Sequence, residues 1–274
     1  MARSEEVFPN PTVRKVIFQV RFPNLFAMES LIGDYQAKIM AQFPVSQLLV
    51  QRSLLFASVA TQADEQSDGP RVMHGGPEGP TTGKIWRFST EGEQEVVLNL
   101  TNDSLDISSV AHKAYETKPE GGGFRDRIKH AVDNFLAVTR IPLFLRVGLR
   151  YEDDGPLPGV PDGKEFKKYY NSTFSLNRFR WEDADELFFK ARVRRGDHCM
   201  LYSESLKYVE ENDKEKGRWQ YVLDYDGYAK RVPASDYLPM TDKLHRLIAT
   251  EYKKSIKEPV RKWMRRTDHP GRQQ

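Results

Sequence analysis

Apolar positions along the chain recur with two periods, and the two alternate in blocks. From Val13 to Phe22 the period is two. Val16, Phe18, Val20 and Phe22 share one face, and Ile17, Gln19 and Arg21 share the other, which predicts a half-buried strand. From Ala27 to Phe43 the spacing is helical, with Met28, Leu31, Ile32, Tyr35, Ile39, Met40 and Phe43 on one stripe between Pro23 and Pro44. Strand spacing returns at Gln47–Ala60, Lys84–Thr90, Gln94–Thr101 and Ser104–Val110. The turns at Glu91-Gly92 and Asn102-Asp103 suit a meander.

A second helix is predicted over Phe124–Arg140, with Phe124, Ile128, Ala131, Val132, Phe135 and Leu136 as its stripe. It feeds a strand at Ile141–Tyr151, in which Leu145, Val147, Leu149 and Tyr151 oppose Arg146, Gly148 and Arg150. Three more strands follow, Glu186–Arg195, Cys199–Val209 and Arg218–Ala229. A long helix over Met240–Met264 comes last, and Pro259 either kinks it or starts a second short helix.

Hairpin-length connections make an antiparallel sheet. The predicted class is α+β, with mostly antiparallel sheets, helices packed on one sheet face, and two halves that share a three-strand-then-helix order. The expected division is an N-terminal half at 1–154, a linker or crossover at 155–180 marked by Pro156, Pro158 and Pro161, and a C-terminal half at 181–274. Thr61–Gly83, crowded with Asp, Gln, Ser, Gly and Pro and containing His74, reads as a long loop. Pro119-Glu-Gly-Gly-Gly123 reads as a linker.

Composition narrows the function classes. With 42 Lys and Arg against 39 Asp and Glu the net charge is only +3, too small to argue for nucleic acid by itself. The charge is uneven, however: Lys253–Arg272 holds eight cations against Glu258 and Asp268, so a basic C-terminal helix is a candidate contact for nucleic acid or an acidic partner. One cysteine, Cys199, excludes an intrachain disulfide and a multi-cysteine zinc site. No apolar run reaches the roughly 20 residues of a membrane span, and the polar Met1–Asn10 stretch lacks a secretory apolar region, so no membrane association and a cytoplasmic location are expected.

No Walker loop, Gly-x-Ser-x-Gly, His-Glu-x-x-His or cysteine cluster is present, so no cofactor, metal or catalytic residue is assigned. The short run Trp181–Glu186 packs four carboxylates beside Arg192 and Arg194. A metal-dependent nuclease or phosphotransfer enzyme built there is one alternative, and a solvated turn is the plainer reading. The distributed constellation is more informative. If helices cover the apolar face, the opposite face gathers Gln19, Arg21, Arg87, Asn99, Arg146 and Arg150 from separate strands. Several guanidiniums on one sheet suit a phosphate-bearing ligand or a carboxylate-rich partner. The competing reading is an ordinary solvated face laced with ion pairs. A non-enzymatic binding or accessory protein engaging a protein partner or anionic ligand is the first expectation, and nucleic-acid binding is a further alternative.

The strands Val16-Ile-Phe-Gln-Val-Arg-Phe22, Trp86-Arg-Phe88 and Arg146-Val-Gly-Leu-Arg-Tyr151, the helix Phe124–Phe135, and Leu244-His-Arg-Leu-Ile248 with Ser255-Ile256 resemble, in the same order, a sporadically distributed prokaryotic family of uncharacterised function. The chain departs from it in the length of the 61–83 loop and in the glycine run at 121–123. The resemblance carries no catalytic motif. The patchy distribution of that family implies an accessory role in antiphage defence or toxin neutralisation, by association alone.

Overall fold

The structure is a computed structural model and describes residues 8–52, 82–92, 96–112, 115–116, 122–157, 163–174, 180–209 and 218–267. Most of the expected 61–83 loop with His74, residues 210–217 and the basic tail after Thr267 lie outside these residues. Among the described residues nine strands form one sheet: β1 (Val13–Arg21), β2 (Val45–Arg52), β3 (Thr82–Ser89), β4 (Val96–Leu100), β5 (Ser104–Ser109), β6 (Leu143–Gly155), β7 (Glu186–Arg195), β8 (His198–Val209) and β9 (Arg218–Pro233). The helices are α1 (Met28–Ile39), α2 (Phe124–Thr139), α3 (Gly163–Tyr169), α4 (Tyr237–Ser255) and α5 (Glu258–Met264). The sheet order is β2-β3-β4-β5-β1-β6-β9-β8-β7, and every pairing is antiparallel. The fold is therefore α+β with an antiparallel sheet.

The order contains a pseudo-twofold path. After β1 the chain crosses through α1 to the far edge, returns inward as a meander ending on β5 beside β1, and continues into α2. After β6 it passes through α3 to the opposite edge, returns inward as β7, β8 and β9 beside β6, and continues into α4. The two paths meet where β1 pairs with β6. Among the described residues the second path has one strand fewer, so β3, β4 and β5 correspond to β7, β8 and β9, and β2 has no counterpart there.

The core lies between the sheet and its helices. Alternation sends Val16, Phe18, Val20, Leu98, Leu105, Ile107, Val147, Leu149, Leu223 and Tyr225 to that side, all buried. The α2 stripe Phe124, Ile128, Ala131, Val132 and Phe135 is buried against it, with the Phe135 ring 4.9 Å from Phe22 and 5.7 Å from Tyr35. On the other half α4 lies over β6 and β9 with Leu244 and Ile248 inward. The stretch expected as a linker contains α3, whose Phe166 is buried 4.9 Å from Tyr221. No helix among the described residues is long and apolar enough to cross a membrane.

Several boundaries differ from the periodicity. The long helix begins at Tyr237, ends at Ser255, and restarts as α5 with Pro259 in its first turn, where the missing N–H costs nothing. Leu145, expected in the core, is exposed, and Phe144 is buried instead. Phe144 and Val147 are three apart, so the alternation slips by one between them. The paired strand slips at the same place: Ala229 and Val232 are buried around Arg231, which sits at φ 55°. The strand also continues past Tyr151 into Glu152-Asp-Asp154, because Asp153 turns inward and is 3% exposed.

Asp153 is held by the Thr12 hydroxyl, which donates to it at 2.8 Å, and the Tyr252 hydroxyl lies 2.5 Å from the same Thr12 oxygen. The Asp224 carboxylate acts on Asp153 electrostatically, and the charge of Asp153 itself raises the nearby Tyr170, Tyr225 and Tyr252 hydroxyls. Burial pushes the Asp153 carboxyl up to about 7, against the smaller downward pull of the Thr12 bond. The folded state therefore keeps its proton where the unfolded chain has lost it, and stability falls as pH rises from the ordinary carboxylate range toward 7. The upper bound on that loss is on the order of 4 kcal/mol. Asp153→Asn is expected to flatten this slope, matching the wild type near pH 4 and exceeding it in urea denaturation midpoint at pH 8. Parallel pH profiles for the two proteins would contradict the assignment.

Candidate binding face

The face of the sheet opposite the helices is built from the minority polar positions of each strand. Pairing registers align one residue from every strand in a single row, Gln47, Arg87, Asn99, Asp106, Gln19, Gly148, Tyr228, Cys199 and Arg194. Three sequence-expected residues, Arg87, Asn99 and Gln19, lie in that row. Arg150 belongs to the neighbouring row beside Ile17, and Arg21 faces Arg146 across the β1–β6 pair. The six residues thus share one face, but they form three local groups and not one pocket.

The arginines on β6 are neutralised internally. Arg146 donates to both carboxylate oxygens of Asp226, at 2.7 and 2.8 Å, and to the Gln19 amide oxygen at 2.6 Å. Gln19 in turn donates to Asp106 at 2.6 Å. The chain Asp106–Gln19–Arg146–Asp226 therefore runs across four strands, β5, β1, β6 and β9. The Arg146 guanidinium also lies 4.9 Å over the Tyr228 ring. Arg150 makes a bidentate pair with Asp224, both bonds 2.8 Å, and lies 3.1 Å from Glu152. Arg87 donates to its cross-strand neighbour Asn99 at 3.1 Å. Burial raises Asp226 and Asp106, opposed for Asp226 by the two nearby guanidiniums and for Asp106 by the Gln19 bond and the charges of Arg21 and Arg146.

Gly148 explains how this packing is possible. A Cβ at that position would stand 2.7 Å from one terminal nitrogen of Arg146 and 2.9 Å from its central carbon. The missing side chain lets the guanidinium lie flat across β6 between Gln19 and Asp226. Sequence reasoning found the arginines and the glycine but missed Asp106, Asp224 and Asp226. Their signal was present, because β5 and β9 alternate and both put their acids on the face opposite the core. Only the registers make them partners of Arg146 and Arg150.

A row of exposed cations of this face lies on the edge strand β7. Lys190, Arg192 and Arg194 are exposed, alternate on one side, and form no ion pair among the described residues. Phe188, in line with them, is 63% exposed. The acids Asp183, Asp185 and Glu186 are exposed at the entry to this strand. Among the described residues, no group of three or more His, Cys, Asp or Glu side chains comes together as a metal site would require. His198 and Cys199 are half-buried neighbours on β8. In the C-terminal helices Lys254 pairs with Glu251, and Arg261 and Arg265 pair with Glu258, so part of that basic run is balanced locally.

A second polar cluster sits on the helix side, at the start of α2. Arg125 grips Asp242 with two bonds of 2.8 and 2.9 Å, and the Tyr115 hydroxyl donates to the same carboxylate at 2.8 Å. Burial pushes the Asp242 carboxyl upward, but the bonds from Arg125 and Tyr115 outweigh it and hold it low. The Tyr115 ring stacks on His245, 4.1 Å between centroids, and the Tyr151 hydroxyl lies 3.0 Å from His245 Nδ1. Tyr115, Glu116, Arg125, Asp242, His245 and Arg246 line a cleft of about 320 Å³. The glycine run has a role here: a Cβ on Gly123 would stand 2.5 Å from the Glu116 carbonyl, so only glycine lets the backbone cross and accept the Arg125 N–H at Tyr115 O, 2.9 Å.

The Arg146 network is expected to be a structural element of this face. Arg146→Met leaves Asp226 without its main partner and should destabilise the protein by about 1–3 kcal/mol. Asp226→Asn in that background should recover part of the loss, which a denaturation double-mutant cycle measures. Additive effects would contradict the pairing. In comparisons with protein-family models, curated proteins and solved structures, the chain finds no match.

Proposed function

We propose that this protein is a non-enzymatic binding or accessory subunit that presents the helix-free face of its sheet to a protein partner. The observation that carries the reading is the Asp106–Gln19–Arg146–Asp226 network. Guanidiniums already paired with two fixed carboxylates make a poor sink for a free phosphate. They make a good pre-ordered polar surface, in which donors and acceptors are held in place before a partner arrives. Half-buried Ile17, Ile85, Val97 and Leu201 are interleaved with these groups and give the face apolar area to bury. A role in prokaryotic defence or toxin neutralisation belongs to the same reading and rests on the family resemblance.

Two other readings make distinct predictions. An anionic ligand or nucleic acid would use the cations outside the network, Arg21 and those on β7, and would bind with a steep salt dependence. A metal-dependent nuclease or phosphotransfer enzyme would need the acids of 182–186 with Arg192 or Arg194, and would turn over nucleotides or oligonucleotides. The test compares the full chain with an Arg21→Glu/Arg87→Glu variant by native co-purification followed by cross-linking and mass spectrometry. The expected result is a stoichiometric partner cross-linked to β1, β3 or β6 and depleted about tenfold or more by the variant. A clean monomer with no partner, or metal-dependent turnover by the purified chain, would overturn the proposal.

A further inference from the structure

The two edges of the sheet are not equivalent. On the first path β3 is covered by β2, which pairs with it antiparallel from Val45↔Ser89 to Arg52↔Thr82. On the second path the corresponding strand, β7, ends the sheet, and among the described residues no strand pairs with its outer edge. A strand edge offers a row of backbone donors and acceptors that is normally shielded or used. The side chains of β7 also describe what would fit there. On the open face Lys190, Arg192 and Arg194 stand at alternate positions, about 6.8 Å apart along the strand. On the helix side Leu187, Phe189, Ala191 and Val193 are only half-buried, although each has the alternation of a core strand.

From these features, and resting on the reading of the chain as a binding protein, we propose that β7 accepts a tenth strand from its partner: an extended segment, antiparallel to β7, that alternates acidic with aliphatic residues. Its acids would meet Lys190, Arg192 and Arg194 as directly opposed cross-strand pairs. Its aliphatic side chains would extend the layer of Leu187, Phe189 and Val193. The backbone edge supplies affinity and the alternating pattern supplies selectivity, as in strand addition generally. The same three cations oppose pairing of β7 with a second β7, because like charges would then face each other, so the edge is closed to self-association and open to an acidic strand. The edge strand β2, Val45-Ser-Gln-Leu-Leu-Val-Gln-Arg52, has no such row, since its one charged residue is the terminal Arg52. Single-stranded nucleic acid would meet the cations and Phe188 but would leave the backbone edge and the half-covered aliphatic side unused, which is why a peptide strand is favoured.

The test uses the full chain and a fluorescent peptide of about eight residues alternating Glu or Asp with Val, with a control of the same composition in which the acids are contiguous. Anisotropy at physiological ionic strength should show the alternating peptide binding about tenfold or more tightly than the control. Arg192→Glu/Arg194→Glu should lose about tenfold or more, and Lys190→Glu alone should also weaken binding; all three side chains are exposed, and an unchanged thermal midpoint verifies the fold. Hydrogen exchange should show new protection of β7 amides on adding the peptide. Equal binding of the control, tighter binding of an oligothymidylate of equal charge, protection of both edges of β7 without any peptide, or no peptide binding would each overturn the inference. If the peptide fails while the Arg21→Glu/Arg87→Glu variant still loses a cross-linked partner, the strand-addition inference falls and the binding reading stands.

Discussion

The antiparallel pairing of β1 with β6 is the interaction on which the rest of the structure depends. It joins the two pseudo-twofold paths, from Lys15↔Glu152 to Arg21↔Arg146. Without that seam neither meander closes a core. The first path would expose the inner edge of β1, and the second would expose β6 with the aspartate at 153 that it buries. Both faces of the seam are reinforced. On the core side Val16, Phe18, Val20, Val147 and Leu149 are buried together. On the open side Gln19 accepts from Arg146 directly across it. Non-local pairings of this kind, between strands more than a hundred residues apart, cost loop-closure entropy that only the completed sheet repays.

Much of this was legible in the sequence. Period-two alternation identified the strands, the helical stripes identified α1, α2 and α4, and helices confined to one face followed from the single apolar side of each strand. The same alternation correctly put Gln19, Arg21, Arg87, Asn99, Arg146 and Arg150 on the other face. The losses have physical causes. The slip around Phe144 and Leu145 is matched by Arg231 on a strand some ninety residues away, and no local pattern announces it. The alternation reads as ending at Tyr151 because Glu152-Asp-Asp154 looks solvated, yet Asp153 is inward and satisfied by Thr12, far back in the chain. The glycine at 123 looked like a break and is instead a contact point for the Tyr115–Glu116 backbone.

The pairing of arginines with aspartates matters most for function. From the sequence, two arginines flanking a glycine look like an anion site. Register turns them into the middle of a balanced lattice, with Gly148 making room for the guanidinium and not for a ligand. A row of exposed cations lies elsewhere, on β7, which among the described residues has no strand on its outer side. The proposed binding role rests on this pre-ordered polar face and on a cationic strand edge that no described strand covers. It needs no catalytic group, and the His245–Tyr115–Asp242 cluster on the helix side can be explained as the clasp between α2 and α4.

Both sequence halves form one sheet through β1 and β6, and the described helices leave one of its faces uncovered. Native-state hydrogen exchange on the full chain, resolved by residue, tests this most directly. Amides of β1, β5, β6 and β9 are expected to share the slowest exchange and to open only with global unfolding. Exchange of residues 8–112 and 163–267 as two units of different stability, with β1 or β6 opening ahead of its neighbours, would contradict it.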